Sequence, residues 1–305
     1  MKIGIDLGGS HIAIGLVDYN NEIIEKRTYY MSDNKDSKSE NYITSCIVHG
    51  INEILLNSMK RLEDIEMVGI ATPGNPKDGV IRNIVNLDIN ELKLEEELKE
   101  NLGNKNIIIK LENDGKCAAL AEKKFGSLKE YSDCIFLCLG TGIGGAVFMN
   151  NQFLKPKRNA GFEFGHMVIQ KDGIQCKCGN KGCFEAYCSK KKFKESMQEI
   201  LGITEYIGAE DFIKIIEQNI ENMQVANLLN EYINNFTIGI SNLINIFEPE
   251  AIAIGGSMAH YESLIFDRLK NKIYNGEYLF NKGNPPIIIP AKAGNDAGII
   301  GATLL

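Results

Sequence analysis

The sequence has no excess of positive charge: 33 lysines and arginines stand against 40 aspartates and glutamates, a formal net charge of −7. An acidic chain offers no general attraction to nucleic acid or to an anionic membrane, so neither is expected as a partner. Long apolar runs are missing too. Residues 1–7 form a short apolar stretch interrupted by Asp6, not a basic leader followed by a hydrophobic core, so no export signal or membrane anchor is expected and a cytoplasmic location fits. No low-complexity linker appears, although 32–40 is polar enough to form a mobile loop. A G-x-x-x-x-G-K-[ST] motif is absent, which argues against a P-loop. What the chain does have is 44% hydrophobic residues over 305 positions, enough to bury a real core in about two domains.

The eight cysteines are unevenly placed. Cys46, Cys117, Cys134, Cys138 and Cys188 are scattered through apolar or helical surroundings, as free thiols in a reducing compartment would be. Cys176, Cys178 and Cys183 instead crowd into one loop shortly after His166. One imidazole and three thiolates match the donor set of a closed structural zinc site. Gly179 and Gly182 let the loop turn back on itself. Three buried core cysteines would be the alternative, but glycine and lysine between thiols do not make a core. The spacing is tighter than in a common zinc finger, and the nearby Lys177, Lys181 and Lys190 to Lys192 read as a solvated face instead of a nucleic-acid patch. Two acidic residues, Glu163 and Glu185, flank the loop.

Elsewhere short apolar strands alternate with turns and helical patterns. Residues 2–7 read as a strand, Gly8-Gly9-Ser10 as a tight turn, 12–17 as a second strand, and a third strand starts at Glu22. A helix over 41–62 precedes a strand over 67–71 that ends in the loop Thr72-Pro73-Gly74. A strand over 107–111 delivers Asn113 and Asp114 to its end, with Asp114 at the N-cap position of a helix over 115–125. The opening pattern then recurs: a strand over 134–139, a glycine turn over 140–145, and a strand over 146–149. Helices over 190–201, 209–220 and 222–247 follow, then a strand over 251–254 ending in Gly255-Gly256-Ser257. A strand over 286–290 and a short apolar helix beyond Gly294 close the chain. Two similar α/β lobes are implied.

Gly140, Gly142 and Gly145 match a G-x-G-x-x-G fingerprint, yet a strand follows them where a dinucleotide site requires a helix. A single glycine turn is most simply an ordinary hairpin. Two of them, with Asp6 beside the first, could hold phosphates from two sides through backbone amides and the hydroxyls of Ser10 and Thr141.

As an ordered set, Asp6 to Ser10, Glu112-Asn113-Asp114, Leu139 to Gly145, Glu163-x-Gly165-His166, the cysteine loop and Gly255-Gly256 resemble the ROK family of sugar kinases and repressors over nearly the whole chain. The resemblance implies an α/β, two-lobed, actin- and hexokinase-like (ribonuclease H-like) fold that closes over a sugar in the cleft between its lobes. The smaller lobe would span 1–113, completed by 291–305, and the larger, with the zinc loop, 114–290. Family repressors add an N-terminal helix-turn-helix, whereas this chain starts directly at a strand, so a kinase using ATP is the better expectation. Asp114 would be the general base, because an alcohol attacks a phosphate well only when its proton has somewhere to go. Gly74, Asn113, Asp114, Glu163, His166 and Glu185 would bind the sugar. Asp6 would lie near the Mg²⁺ that accompanies the nucleotide, with Gly8, Gly9, Ser10, Gly140, Thr141 and Gly142 around the phosphates and Gly255 and Gly256 near the adenosine. His166 can serve both zinc and sugar, since an imidazole bound to metal through one nitrogen donates from the other. The resemblance further implies a homodimer or homotetramer. Ser10-His11 stands where Thr-Lys or Thr-Asn is frequent in the family, and a histidine there is one of the features shared with allose-type kinases. The chain contains no tryptophan, although 83–94, which should help form the sugar lid, often carries one in glucokinase-like members. Glucose is the leading acceptor, with allose, fructose and N-acetylhexosamines as alternatives.

Overall fold

The computed structural model describes residues 1–31, 39–84, 87–157 and 161–305. Most of the polar segment 32–40 and two residues of the expected lid, 85 and 86, lie outside the described residues. The chain divides into two compact units, 1–125 with 155–161 and 293–305, and 126–154 with 162–292.

In the first unit, β1 (Lys2–Leu7), β2 (His11–Val17), β3 (Ile23–Tyr30), helix α1 (Glu40–Asn57) and β4 (Met67–Thr72) lead into a small antiparallel sheet of β5 (Asn75–Lys77), β6 (Val80–Ile84) and β7 (Ile89–Leu92). Helix α2 (Leu94–Asn101), β8 (Ile109–Asn113) and α3 (Asp114–Phe125) follow. The main sheet runs β3-β2-β1-β4-β8, antiparallel across the first three strands and parallel from β1 through β4 to β8. One face is aliphatic: Ile3, Ile5 and Leu7 are fully buried in one cluster with Ile43, Ile47, Ile51 and Ile54 of α1, spaced along that helix at helical period. The other face is bare at Gly4 and Gly69, where a Cβ would strike the backbone carbonyls of Ile299 and Ala302. Those glycines let the C-terminal helix, Ala297–Ala302, lie directly on the sheet.

The second unit repeats this plan. Strands β9 (Cys134–Leu139), β10 (Ile143–Met149) and β11 (Gln152–Phe153) form an antiparallel meander, followed by helices α4 (Phe184–Cys188), α5 (Lys190–Leu201), α6 (Ala209–Gln218) and α7 (Met223–Phe247), strand β12 (Ala251–Gly255), helix α8 (Glu262–Tyr274) and strand β13 (Ile287–Pro290). The order β11-β10-β9-β12-β13, with β9, β12 and β13 parallel, matches the first sheet strand for strand. Phe184, Phe193, Tyr232 and Phe236 are buried together in its core.

Two expectations shift. The division expected at 113/114 falls at 125/126, because α3 packs on the C-terminal helix: Gly301 sits against the Cys117 carbonyl, and the Ala293 amide donates to the buried Glu122 carboxylate at 2.7 Å. The N-cap expected at Asp114 is Asn113, whose Oδ1 accepts from the amides of Gly115 and Lys116 at 3.1 and 3.4 Å, while Asp114 is the first residue of α3. The β5–β7 sheet, α2 and α8 were not expected from the pattern. Strands of three to five residues, one containing Pro76, are too short to show a period and are set by pairing with one another.

Candidate active site

In the first unit the parallel strands β1, β4 and β8 end on the same edge, as ligand-binding edges of open α/β sheets do. That edge carries Asp6, the Thr72-Pro73-Gly74 loop, and Asn113 with Asp114. Gly8 to Ser10 turn the chain between β1 and β2, with the Gly8 amide donating to the His11 carbonyl at 2.9 Å and the exposed Ser10 hydroxyl 3.3 Å from His11 Nδ1. Gly74 has φ +83°, and a Cβ there would lie 2.6 Å from the Arg82 carbonyl oxygen, so only glycine fits that turn.

Asp6 is partly buried, and that burial, then the negative charge of Asp114, pushes its carboxyl up to about 6, against the opposing pull of His11 and Lys26. Asp114 keeps a solvent-exposed face. The protein packed around it still raises its carboxyl above the usual range, while the Gly115 amide, 2.7 Å away, pulls the other way. A raised, accessible carboxylate suits a general base working near neutral pH. Behind it Glu112 is fully buried, with one oxygen 2.7 Å from Lys155 Nζ and the other accepting the Asn113 amide at 3.1 Å.

In the second unit the glycine turn is confined to 140–142, since β10 begins at Ile143; the Gly140 amide donates to the Gly142 carbonyl at 2.9 Å and Thr141 is exposed. This is strand-turn-strand and not a dinucleotide fingerprint. Glu185 Oε2 accepts the Ile143 amide at 2.8 Å and occupies the space where a Cβ on Gly142 would go, so this carboxylate braces the turn. Pairing of β12 with β9 sets Gly255 opposite Cys138, and Gly256, at φ +70°, lies against the Leu139 carbonyl. Gly165 fits beneath the Ile143 carbonyl and beside Glu185, which brings the turn carrying Glu163 and His166 to the same place. Glu163 itself is exposed.

The donor atoms of His166, Cys176, Cys178 and Cys183 all lie within 4.8 Å of one another. Cys178 Sγ is 3.6 Å from Cys183 Sγ, and Cys176 Sγ is 3.7 Å from His166 Nδ1. Tetrahedral zinc with Zn–S bonds of ~2.3 Å requires ligand separations of roughly 3.5 to 3.8 Å. The bridges Val168–Cys183 and Gln175–Lys181 hold the loop folded. One feature of the first unit was missed from the sequence: Gly298, whose bare Cα faces the Asp6 carboxylate. Its only sequence signal is a small-residue pair, Ala297-Gly298, at the start of an apolar helix.

The model of the ROK family matches residues 2–305. The chain is 29% identical over 315 residues to a glucokinase of Thermotoga maritima, covering 98% of this chain and 95% of that protein. It is also 26% identical over 301 residues to a xylose repressor of Bacillus subtilis, covering 98% of this chain and 75% of the repressor. Among solved structures, a ROK hexokinase from Thermus thermophilus superposes with a TM-score of 0.79 at 25% identity, over 99% of this chain and 96% of that one. No helix among the described residues is long and apolar enough to cross a membrane.

Proposed function

The chain belongs to the ROK family, and from that premise we propose that it is an ATP-dependent sugar kinase acting on a hexose hydroxyl, O6 of an aldohexose such as glucose. Its two units with matching sheets are the lobes of the family's actin-like fold. The observation that carries the reading is Asp114, an accessible carboxylate at the end of a parallel strand with its carboxyl raised above the ordinary range. Sugar binding alone has no need of such a base; phosphoryl transfer does.

Asp114 accepts the hydroxyl proton as the sugar oxygen attacks the γ-phosphorus. The new P–O bond forms as the bond to the β-phosphate oxygen breaks, and ADP leaves with that electron pair. Asn113, Glu163, His166 and Glu185 bind the sugar hydroxyls, with Gly74 contributing backbone. The glycine turns at 8–10 and 140–142 hold the phosphates, and Gly255 and Gly256 border the adenosine. Glu185 serves its turn through one oxygen, bound to the Ile143 amide, and the sugar through its remaining acceptor sites.

Two metals belong to this reading. Asp6 fits a place beside Mg²⁺, because a carboxyl crowded by burial and by Asp114 is relieved by a nearby cation, which when bound supplies charge neutralisation to the nucleotide phosphates. The Cys₃His cluster fits structural zinc in both donor chemistry and spacing. With His166 Nδ1 turned toward Cys176, Nε2 remains for a sugar hydroxyl. A homodimer or homotetramer in the cytoplasm completes the proposal, the assembly being measurable by light scattering.

The test is ADP release from Mg-ATP with the zinc-loaded protein across glucose, allose, mannose, fructose, N-acetylmannosamine and N-acetylglucosamine. Turnover with one of them supports the kinase and names its acceptor. Sugar-induced thermal stabilisation with no turnover would favour a sugar-responsive regulator instead, the role carried by the name of the xylose repressor that the chain also resembles.

A further inference from the structure

A glycine at position 298 is unexplained by its backbone. It lies in the first turn of the C-terminal helix and needs no left-handed conformation. What it meets is Asp6: a Cβ on Gly298 would stand 2.6 Å from both Cγ and Oδ2 of that carboxylate and 3.1 Å from its Cβ. The helix cannot retreat to make room. Ile299 and Ala302 rest on the bare glycines of β1 and β4, and Gly301 sits against the Cys117 carbonyl of α3. The Ala293 amide is bound to the buried Glu122 on α3, and Asp296 pairs with Lys26 on β3. The same short helix therefore touches both the strand that carries Asp6 and the helix that begins with Asp114.

We infer that Gly298 is a positioning residue, the bare spot on a fixed wall that sets where the Asp6 carboxylate stands relative to Asp114. It acts through Asp6 and does not itself touch substrate. The side chain that gives way to a larger residue is Asp6, because backbone closes off the other directions. This inference rests on the reading of Asp6 as the carboxylate beside the nucleotide's metal.

The experiment compares Gly298→Ala with the parent. Displacing a group near the reacting phosphate by about an ångström lowers turnover roughly tenfold to a hundredfold, so kcat should fall by at least that lower figure while the KM for sugar stays within about twofold. Mg-ATP affinity by calorimetry should weaken in parallel. A readout independent of activity comes from ligand-free thermal unfolding. Gly298→Ala should lower Tm in the parent but not in an Asp6→Ala background, where the colliding atoms are gone. Unchanged turnover in Gly298→Ala, or an equal Tm loss in both backgrounds, overturns the inference. If Gly298→Ala fails to fold, the double variant decides: a folded Asp6→Ala/Gly298→Ala protein supports it, and an unfolded one overturns it. A parent inactive with every sugar overturns the kinase reading itself and is recognised before any variant is made.

Discussion

Replacing Asp6 by asparagine should stabilise the ligand-free protein at neutral pH while removing its use of Mg-ATP. The carboxyl is raised from 3.8 to about 6, first by burial and then by Asp114. A shift of about two units, at ~1.4 kcal/mol each, corresponds to ~3 kcal/mol of destabilisation in the ionised form. The pH dependence follows from proton binding. Between about 4 and 6 the folded state holds the Asp6 proton more tightly than the unfolded chain does, so the parent loses stability as pH rises through that window. Below it the group is neutral in both states, and the asparagine variant gains nothing. The amide is close to the carboxylate in size, so it should occupy the same space against Gly298 with little strain. Urea unfolding without ligand at pH 4 and pH 7.5 measures the two limits: near equality at the first, and up to ~3 kcal/mol in favour of asparagine at the second. An asparagine variant less stable than the parent at pH 7.5, or a difference independent of pH, would refute the reasoning about burial. Mg-ATP should raise the Tm of the parent far more than that of the variant.

Asp114→Asn should leave sugar affinity by calorimetry largely intact and reduce ADP release by ~10² to 10⁴, and lost binding with retained turnover would contradict the assigned role. In the parent, kcat should fall as acid protonates Asp114, with the limb displaced above the ordinary carboxylate range. Cys178→Ser should lose zinc and sugar affinity together, because one loop shapes both, and full zinc by elemental analysis in the variant would sink this reading. Gly142→Ala places a methyl where Glu185 Oε2 sits, so it should break that oxygen's bond to the Ile143 amide and raise the KM for ATP several-fold, a loss that unaltered ATP kinetics would disprove.

The strands and glycine turns of both units were legible because their signals are local: apolar runs bounded by glycine read the same way before and after folding. The small sheet over 75–92 was not, since its strands acquire a register only from each other. The cysteine loop was equally plain, because three thiols separated by glycine and lysine within one short loop do not read as a core. Asn113 and Asp114 illustrate the boundary. Their presence at a strand end could be read directly, but which of the two caps α3 depends on where Oδ1 of Asn113 points, and that is set by β8 pairing with β4.

By itself, then, the sequence determined what depends on neighbours along the chain: the repeated strand-turn-strand units, the crowding of three thiols after His166 and the candidate base. Tertiary structure alone decided which unit holds α3, why Glu185 braces the turn before Ile143, and how Gly298 comes to face Asp6. Those outcomes arise where residues far apart in the chain exclude one another's atoms, and no spacing along a linear sequence records which far segments will meet.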